Sequence, residues 1–551
     1  MSLMTPESFA PDERELLSRY FTNLDGPVFA LVNLPEVVKG ALFARYSRSS
    51  KSLRRLFLDE FVEELDVSGD RDLDATVGLR RAEQLYERVF SEYGDDSVAQ
   101  LGGVHLACEQ SSNLLTKVLE RGRLMSYLEQ STRYIPYDTR FDGGHYRYIR
   151  EPAILDSPLG ARYIGEMDRM FDTYAELLPT LQAHVQRSSP APPGTSALAH
   201  RLAVRARCLD ALRGLLPAGS LSNVGIYGSG QSYELLLLRM RANPLPEARR
   251  YAEMMLEELR KVIPSFLSRI DREERGGAWA AYLRETEKQT AEVARALWPV
   301  EAPQPGAVVR LTDFDPEGEE KVLAAICYPA ANLPDEELVS RVRTLSAEDR
   351  ASIMRAYVGE RLNRRHRPGR AFERTEYRFD VVADYGAFRD LQRHRLLSIE
   401  WQPLGTDLGY EVPELVAEAG LGSRYSESLE RSRALHDSLS RYFPDLCSYA
   451  VALAYNVRFV MQMNAREAMH VIELRSTPQG HPAYRRVARE MYRLIIEEAR
   501  HTAIAEAMSF VDLSDVDLGR LEAEERAARR GGLGALAVVV EPVEPEVGGT
   551  S

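Results

Sequence analysis

The sequence has few cysteines. Its four cysteines are far apart in the 551-residue chain, at positions 108, 208, 327 and 447. A disulfide framework and a zinc knuckle both need cysteines at close, paired spacing. This distribution therefore argues against either and fits a reducing compartment.

A long uncharged apolar run is also missing. A membrane-spanning helix needs about 20 such residues, whereas the apolar patch at residues 533–540 is far shorter and lies in a segment rich in Gly, Pro and Glu. The first four residues show no basic region followed by an apolar stretch, so no signal peptide is expected. These absences predict a cytoplasmic protein with no membrane partner.

Positive charge is not in excess. Lys and Arg number 70 against 83 Asp and Glu, which gives a net charge of −13. Such a surface repels nucleic acid and anionic membranes as a whole, although it is compatible with a local anion pocket. The length and the 44% hydrophobic content suit two or three domains with large cores.

A proline-rich segment near the midpoint is the clearest linker, because Pro299, Pro303 and Pro305 lie close together. Composition turns to Gly, Pro, Val and Glu near the end of the chain, which indicates a mobile tail. The predicted organisation is a first domain at 1–297, a linker at 298–307, a second domain at 308–530 and a tail at 531–551.

Helical periodicity dominates the domains. Residues 251–263 and 487–507 place apolar residues at three- and four-residue spacing among charges. Strand-like stretches are fewer and cover residues 146–149, 308–311 and 377–382. The prediction is a helix-rich α+β protein with a small mixed or antiparallel sheet.

One motif occurs twice. The frame Arg-x-Arg-Leu-(Met/Leu)-Ser begins at Arg121 and again at Arg393, with Gly122 in the first copy where the second has His394. Two matches in the same order predict an internal duplication. The second matched pair comprises residues 235–254 and 473–491.

The arginine frame suits an anion. Each guanidinium offers a planar fork that matches phosphate, and a histidine between two arginines adds a donor or a planar ring. A solvated Arg-rich surface stretch is the alternative. The triplet 365–367, within the basic run 361–370, has the same composition without the Leu-x-Ser continuation. We interpret this run as a solvated loop or a phosphate-facing patch.

A polar run follows the first copy of the frame. Glu129, Ser131 and Arg133 alternate, so an extended backbone would direct them to one side, where a carboxylate, a hydroxyl and a guanidinium suit a nucleotide. A strand edge or turn with internally satisfied polar groups is the alternative. At the matching positions the second copy has Trp401 and Pro403.

Residues 464–475 predict a helix capped by Asn464. Arg466, His470 and Glu473 fall on one stripe of that helix, which indicates either a pocket or ordinary salt bridges. Glu498 and His501 have the spacing of di-iron bundles, but a second such pair is missing. A surface salt-bridge helix is the better interpretation there, and no metal site is predicted.

Three segments together resemble the flavin-dependent thymidylate synthases: the triplet 393–395, residues 129–134 and the helix 464–475. Residues 93–98 and 475–486 are also similar to segments of that family. The resemblance covers most of both halves and is closest around residues 460–500.

The resemblance implies an α/β fold assembled as a homotetramer, with flavin at sites built from several subunits. The implied reaction is reductive methylation of deoxyuridine monophosphate (dUMP). Methylenetetrahydrofolate gives the carbon, and reduced FAD, recharged by NADPH, gives a hydride. The family uses no covalent protein nucleophile, so no residue of that kind is predicted.

Carried over residue by residue, the resemblance divides the site between the copies. The implied substrate-binding residues are Arg121, Glu129, Ser131, Arg133, Arg213, Arg239 and Arg475. The implied cofactor-binding residues are Arg393, His394, Arg395, Asn464, Arg466 and His481. The first copy departs from the family at Gly122, at Leu101 and at residues 228–231. The second copy departs at Arg374, Trp401, Pro403 and Gly405.

Two hypotheses follow. In one, the chain is a fused thymidylate synthase-like enzyme, a homodimer imitates the family tetramer, and composite sites take nucleotide contacts from one copy and flavin contacts from the other. In the other, it is a pseudoenzyme that keeps a nucleotide-binding or scaffolding role. A third possibility, nucleic-acid binding by residues 361–370, is disfavoured by the net charge.

Overall fold

The structure is a computed structural model. It describes residues 8–21, 24–25, 33–39, 42, 52–60, 62, 100, 102–140, 144–298, 308–515 and 518–529. The family-like segment 93–98, Leu101, linker residues 299–307 and the predicted tail at 531–551 lie outside the described residues.

Helices make up most of the described chain. The first nine are α1 Pro11–Ser18, α2 Leu53–Glu60, α3 Asn113–Leu119, α4 Pro152–Leu155, α5 Gly160–Ser188, α6 Ala197–Leu212, α7 Gly230–Ala242, α8 Pro246–Arg260 and α9 Ala278–Leu297. The later ones are α10 Gly318–Cys327, α11 Asp335–Arg343, α12 Ala347–Val358, α13 Tyr385–Leu391, α14 Glu414–Glu418, α15 Gly422–Ser440, α16 Ala465–Arg475, α17 Pro482–Glu497, α18 Thr502–Glu506 and α19 Leu521–Arg529. Within the described ranges, no helix is both long enough and apolar enough to cross a membrane.

The strands are shorter and form two small sheets. They are β1 Gly103–Ser112, β2 Met125–Glu129, β3 Leu221–Ser229, β4 Val309–Phe314, β5 Glu376–Asp384, β6 Ser398–Trp401 and β7 Asn456–Asn464. One sheet has the order β1-β3-β2 and the other β4-β5-β7-β6. The prediction of a helix-rich α+β protein is confirmed.

The chain forms two compact units. The first contains Met1–Ser111, Leu115–Glu129 and Ser222–Glu301, and the second contains Ser112–Leu114, Gln130–Leu221 and Ala302–Ser551. The second unit therefore combines part of the first half of the sequence with the second half. The domain boundaries drawn from the sequence stay a prediction.

The two sheets repeat one arrangement. In the first unit β3 lies between β1 and β2, and in the second β7 lies between β5 and β6. A helix follows the matching strands in both cases, α3 after β1 and α13 after β5, then α7 after β3 and α16 after β7. This repeated element order agrees with the internal duplication predicted from the motifs.

The sheet of the second unit is antiparallel and supports the region described below. β5 pairs with β7 over its full length, from Glu376 opposite Asn464 to Asp384 opposite Asn456. Along β7, the buried Phe459 and Met461 alternate with the more exposed Arg458 and Gln462. Because side chains alternate across a strand, one face of β7 joins the core.

Within the second unit, two equivalent segments from the two halves pair through their backbones. Pro217 forms a β-bridge with Ala452. The flanking hydrogen bonds are reciprocal, as across a two-fold axis. They run from Ala218 N to Val451 O (2.7 Å), Leu453 N to Leu216 O (2.9 Å), Gly219 N to Tyr449 O (2.9 Å) and Ala454 N to Gly214 O (3.0 Å).

Two of the three predicted strands are confirmed, as β4 and β5. The strand predicted at residues 146–149 is wrong, because only a single bridge from Tyr148 to Ser220 forms there. The rings of Tyr146 and Tyr148 pack near Phe171 of α5 instead, and their hydroxyls donate to Asp172 and Asp168. Tyr146 and Tyr148, whose aromatic character suggested a strand, are therefore buried against α5.

The helix predicted at residues 487–507 is also partly wrong. α17 ends at Glu497, and α18 begins at Thr502. Arg500 between them has a φ of 60°, a left-handed conformation that interrupts a right-handed helix. His501 turns inward and is 2% exposed, with its Nδ1 2.7 Å from the hydroxyl of Tyr377. The surface salt-bridge helix inferred for this segment is therefore wrong.

Candidate functional site

A buried ion pair in the second unit joins two residues of the first half. The turn after Ser131 directs Arg133 toward Asp210 near the end of α6, where Nε and Nη2 each lie 2.7 Å from a carboxylate oxygen. The backbone N–H of Arg133 donates to Ser131 Oγ at 3.2 Å. Burial opposes ionisation of Asp210, but the charge of Arg133 outweighs it and lowers the pKa of Asp210 to about 2.

Arg133 also reaches the second half of the chain. Its Nη1 donates to the Tyr484 hydroxyl at 2.8 Å, and its Nη2 donates to the Gln479 carbonyl at 3.1 Å. The guanidinium carbons of Arg133 and Arg475 lie 5.6 and 5.2 Å from the centre of the Tyr484 ring. Two residues predicted to bind substrate, one from each copy, thus share Tyr484 as a partner.

Arg475 connects this cluster to the central histidine of the repeated frame. At the end of α16, its Nε donates to His394 Nε2 at 2.8 Å, and its Nη2 donates to the Asp390 carbonyl. Burial lowers the pKa of His394 to about 4, so the ring is neutral at pH 7. Since Nε2 accepts a hydrogen bond, the ring proton lies on Nδ1, which faces Glu467 at 3.5 Å.

Glu467 links the residues implied to bind cofactor. Its carboxylate lies 3.3 Å from His470 Nδ1, and its backbone N–H donates to Asn464 Oδ1 at 2.9 Å. Burial opposes its ionisation, but hydrogen bonds from His394 and His470 lower the pKa of Glu467 to about 2. Glu467 was not among the residues predicted from the sequence, although it lies one turn from the cap of an amphipathic helix.

His394, Glu467 and His470 are residue types that bind metals, and their ligand atoms lie within 4.8 Å of one another. The hydrogen bond from Arg475 holds the His394 proton on Nδ1, between the ring and the carboxylate. A metal bound at that nitrogen would have to displace this proton. We therefore describe the trio as a hydrogen-bonded network, and the absence of a metal site stays a prediction.

His481 lies in the arginine cluster and caps α17. Its Nδ1 accepts from the backbone N–H of Ala483 at 3.2 Å, so Nε2 carries the proton and donates to the Asp210 carbonyl at 3.1 Å. Burial lowers the pKa of His481 to about 3, which keeps the ring neutral. Both ring nitrogens are used within the protein.

Arg213 has spare donors. It directly follows α6 and is 3% exposed. Its Nη1 donates to Asp390 Oδ2 at 3.0 Å, and its Nη2 lies 3.9 Å from Asp384. Arg213 Nε and Nη2 have no hydrogen-bond partner among the described residues. A buried guanidinium with unused N–H groups is suited to an anionic ligand.

A cavity of about 1210 Å³ adjoins these groups within the second unit. Its volume exceeds the roughly 300–1,000 Å³ typical of small-molecule sites, so it can hold a nucleotide-sized ligand. Its wall includes residues from both halves of the sequence, among them Asp210, Arg213, Gln479, His481, Arg486 and Arg520. Sequence reasoning did not find Arg520, and no motif singles it out.

The other residues implied to bind cofactor lie around the histidine network. Asn464 caps α16, as predicted. Arg466 donates to the Pro368 carbonyl at 3.0 Å and lies 3.5 Å from Glu373. In the turn after α13, the Arg393 side chain is 36% exposed, and Arg395 is half-buried. The frame therefore buries its histidine and leaves its arginines accessible.

Asn464 provides a test of the helix that carries this network. Asn464→Ala removes the cap and should lower the free energy of unfolding by about 1 kcal/mol. Asn464→Asp should be nearly neutral, because aspartate caps a helix equally well. Urea denaturation followed by circular dichroism measures both. Equal midpoints for wild type and Asn464→Ala would contradict the capping role.

Other predicted substrate residues belong to the first unit. Glu129 is buried at the end of β2, 3.3 Å from Lys117 Nζ, which also pairs with Glu120. Partial desolvation and the neighbouring charge of Arg121 lower the pKa of Arg239. The structure thus assigns Arg121, Glu129 and Arg239 to one unit, and Ser131, Arg133, Arg213 and Arg475 to the other.

Two interpretations from the sequence are corrected. The basic run 361–370 is not solvated throughout, because Arg361 forms a two-fold ion pair with Glu473 in which both side chains are 2% exposed. The stripe on α16 does not line one pocket, because Arg466, His470 and Glu473 each have a different partner. Ordinary ion pairs, the alternative left open, describe that stripe.

A duplicated, helix-rich fold with a buried arginine–histidine cluster defines a thymidylate synthase-like protein. The family model described as thymidylate synthase complementing protein matches residues 40–265 and 310–499, and the chain belongs to this family. A UPF0159 protein of Chlamydia muridarum is 40% identical over 94% of this chain and 98% of its own length. A UPF0159 protein of Thermoplasma acidophilum is 34% identical over 89% of this chain and 98% of its own length.

Proposed function

We propose that this protein binds a dUMP-like nucleotide at a composite site in the second unit and catalyses its flavin-dependent reductive methylation. The observation that supports this is the continuous chain of contacts from Arg133 through Tyr484 and Arg475 to His394. These contacts join Arg133, a nucleotide-binding position kept only in the first copy, to His394, a flavin-binding position kept only in the second. The complementary losses in the two copies then amount to a division of labour.

The charge of the cluster suits a phosphate group. Its cations are fixed by buried carboxylates, so they keep their positions whether or not a ligand is bound. Asp210 holds Arg133, and Asp390 holds Arg213. Arg213 lines the cavity and has buried N–H donors without a hydrogen-bond partner among the described residues, which a phosphate oxygen would satisfy.

The residues also fit a flavin cofactor in part. Arg393 and Arg395 are accessible guanidinium groups that match the pyrophosphate of FAD. His394 and Asn464 are bound to Glu467, so their role would be to hold the turn and the start of α16 in place. When bound, FAD would supply the hydride, with NADPH and methylenetetrahydrofolate as co-substrates. A homodimer that mimics the family tetramer belongs to the same proposal.

A pseudoenzyme that keeps only the nucleotide pocket is the second candidate. It is favoured by His481, because both its ring nitrogens bond within the protein. It is also favoured by Glu129, because that carboxylate already has a charged partner within the protein, Lys117, at 3.3 Å. In this case the cavity would sense or store a nucleotide without chemistry.

The two candidates differ in flavin content and turnover. The proposed enzyme should purify with, or take up, FAD and should release tritium from C5-labelled dUMP when methylenetetrahydrofolate and NADPH are added. Binding of dUMP without flavin uptake or tritium release would identify the pseudoenzyme. Failure to bind dUMP at all would overturn both.

Tyr484→Phe tests the composite site itself. The substitution removes one of the acceptors that orient Arg133 but keeps the pair with Asp210 and the ring near Arg475. We therefore expect Arg133 to be held less firmly and the Kd for dUMP to rise about tenfold. Calorimetric titration measures the change. Tyr442→Phe is the control, because the Tyr442 side chain is exposed. Equal dUMP affinity in the two variants would contradict a role for Tyr484.

A further inference from the structure

The segment after the family-matched region contributes a residue to the cavity. The second match ends at residue 499, and Arg520 lies beyond it. Arg520 is 8% exposed and lines the cavity together with Asp210, Gln479 and His481. A side chain from outside the family core thus forms part of the site wall.

Arg520 is held mainly by a ring and by long polar contacts. Its guanidinium carbon lies 4.7 Å from the centre of the Tyr134 ring. Its Nε is 3.5 Å from the Gln479 carbonyl, and its Nη2 is 3.4 Å from Asp210 Oδ2. Both distances are at the outer limit for a hydrogen bond, and Nη1 has no partner among the described residues. Burying an unsatisfied charged donor is costly.

The backbone conformation at Gly519 places Arg520 at the cavity wall. At Gly519, a Cβ atom would lie 2.0 Å from the Pro478 carbonyl oxygen, so only glycine allows the approach. Arg489 and Arg485 donate to the Ser514 carbonyl and secure the preceding residues against α17. The position of Arg520 is therefore fixed by close packing.

The charged groups around Arg520 favour binding of an anion. Two histidines of the cluster are neutral, as their lowered pKa values show. The charged groups joined through the cluster are Arg133, Arg213, Arg393, Arg475 and Arg520 on one side, and Asp210, Asp384, Asp390 and Glu467 on the other. Asp384, 3.9 Å from Arg213, has a pKa raised by burial. The arginines outnumber the carboxylates, so the negative charge of a phosphate monoester would reduce the excess positive charge.

We propose that Arg520 is a phosphate-binding residue, supplied by the C-terminal segment, that makes the site selective for a nucleoside monophosphate over the free nucleoside. This inference rests on the proposed nucleotide site. It adds that the spare Nη1 donor of Arg520 binds a phosphate oxygen in the same cavity as the spare donors of Arg213. Tyr134 and Gly519 act as positioning residues for it.

The test compares dUMP with deoxyuridine on the full-length protein by calorimetric titration. In Arg520→Gln, we expect the Kd for dUMP to rise tenfold or more while the Kd for deoxyuridine stays unchanged. Arg520→Lys keeps the charge but loses the planar fork of the guanidinium, so its Kd for dUMP should lie between those of wild type and Arg520→Gln. Gly519→Ala should resemble Arg520→Gln, since it displaces the backbone. The control is Arg526→Gln, because Arg526 lies on the neighbouring α19 and is exposed.

The outcomes separate this inference from the proposed function. If wild type binds neither dUMP nor deoxyuridine, the nucleotide site itself is overturned. If wild type binds dUMP and Arg520→Gln, folded by circular dichroism, retains the same preference over deoxyuridine, only the role of Arg520 is overturned. If Arg520→Gln does not fold, the test uses Arg520→Lys, in which we expect the preference for dUMP over deoxyuridine to be weaker than in wild type. An unchanged preference in Arg520→Lys would then contradict the proposal.

Discussion

Replacing Asp210 by alanine should lower the free energy of unfolding of the second unit by about 3–5 kcal/mol. The substitution removes the carboxylate that pairs with Arg133 and lies near Arg520, leaving two buried guanidinium groups without a counter-charge. Loss of one partner of a buried pair is far more costly than loss of a surface pair. Urea denaturation followed by far-UV circular dichroism measures the change.

A matched control distinguishes burial from charge. Asp515→Ala removes an aspartate that also pairs with an arginine, Arg489, but its side chain is 95% exposed. We expect a change within about 0.5 kcal/mol there. Similar midpoints for Asp210→Ala and Asp515→Ala would show that the Arg133–Asp210 pair does not stabilise the unit.

The effect of Asp210 should depend on pH in a defined direction. Its pKa is about 2 in the folded protein, below the value of about 3.9 for an unfolded chain. The stability that it contributes is therefore complete above about pH 5 and is lost progressively as the pH falls through 2. The difference in stability between wild type and Asp210→Ala should shrink over the same range.

Glu473→Ala should produce a loss of similar size, about 3–5 kcal/mol. Glu473 receives both Nη groups of the buried Arg361 and also accepts from the backbone N–H of Phe510. Its removal leaves a charged guanidinium in a region with almost no access to water. The same urea titration measures the result.

A double substitution shows whether the uncompensated charge of Arg361 causes the loss of stability in Glu473→Ala. Arg361→Met combined with Glu473→Leu removes both charges and refills the space, so it should recover part of the stability lost in Glu473→Ala. Glu348→Ala, which breaks the exposed pair with Arg355, is the surface control and should be nearly neutral. A double variant less stable than Glu473→Ala would argue that specific hydrogen bonds, not charge burial, dominate.

The repeated frame and the polar residues near it were accessible from the sequence, because they are local patterns. The cap at Asn464 follows from residue type and position alone. The burial of Arg361 could not be predicted, since its partner Glu473 is more than a hundred residues away and only tertiary packing makes the pair. The family resemblance supplied residues, but not their partners.

In the candidate site, too, residues could be predicted from local patterns but their long-range partners could not. The sequence indicated Arg133 and Arg475 as ligand-binding residues, yet gave no reason to place them beside one tyrosine. Asp210, Glu467 and Tyr484 were missed because each is ordinary in its helical context. Arg520 was missed because its position depends on the close approach of Gly519 to another loop. Long-range contacts of this kind carry no local signature.

The reciprocal pairing of residues 214–219 with residues 449–454 has a consequence for how this chain can change. In a symmetric homodimer, every substitution near the axis occurs twice, so a change that one side tolerates must be tolerated by both. Here the two sides are encoded separately, and Pro217 already faces Ala452. Fusion has removed the requirement that both copies stay alike. Each copy is then free to lose a residue for as long as its counterpart retains the complementary one.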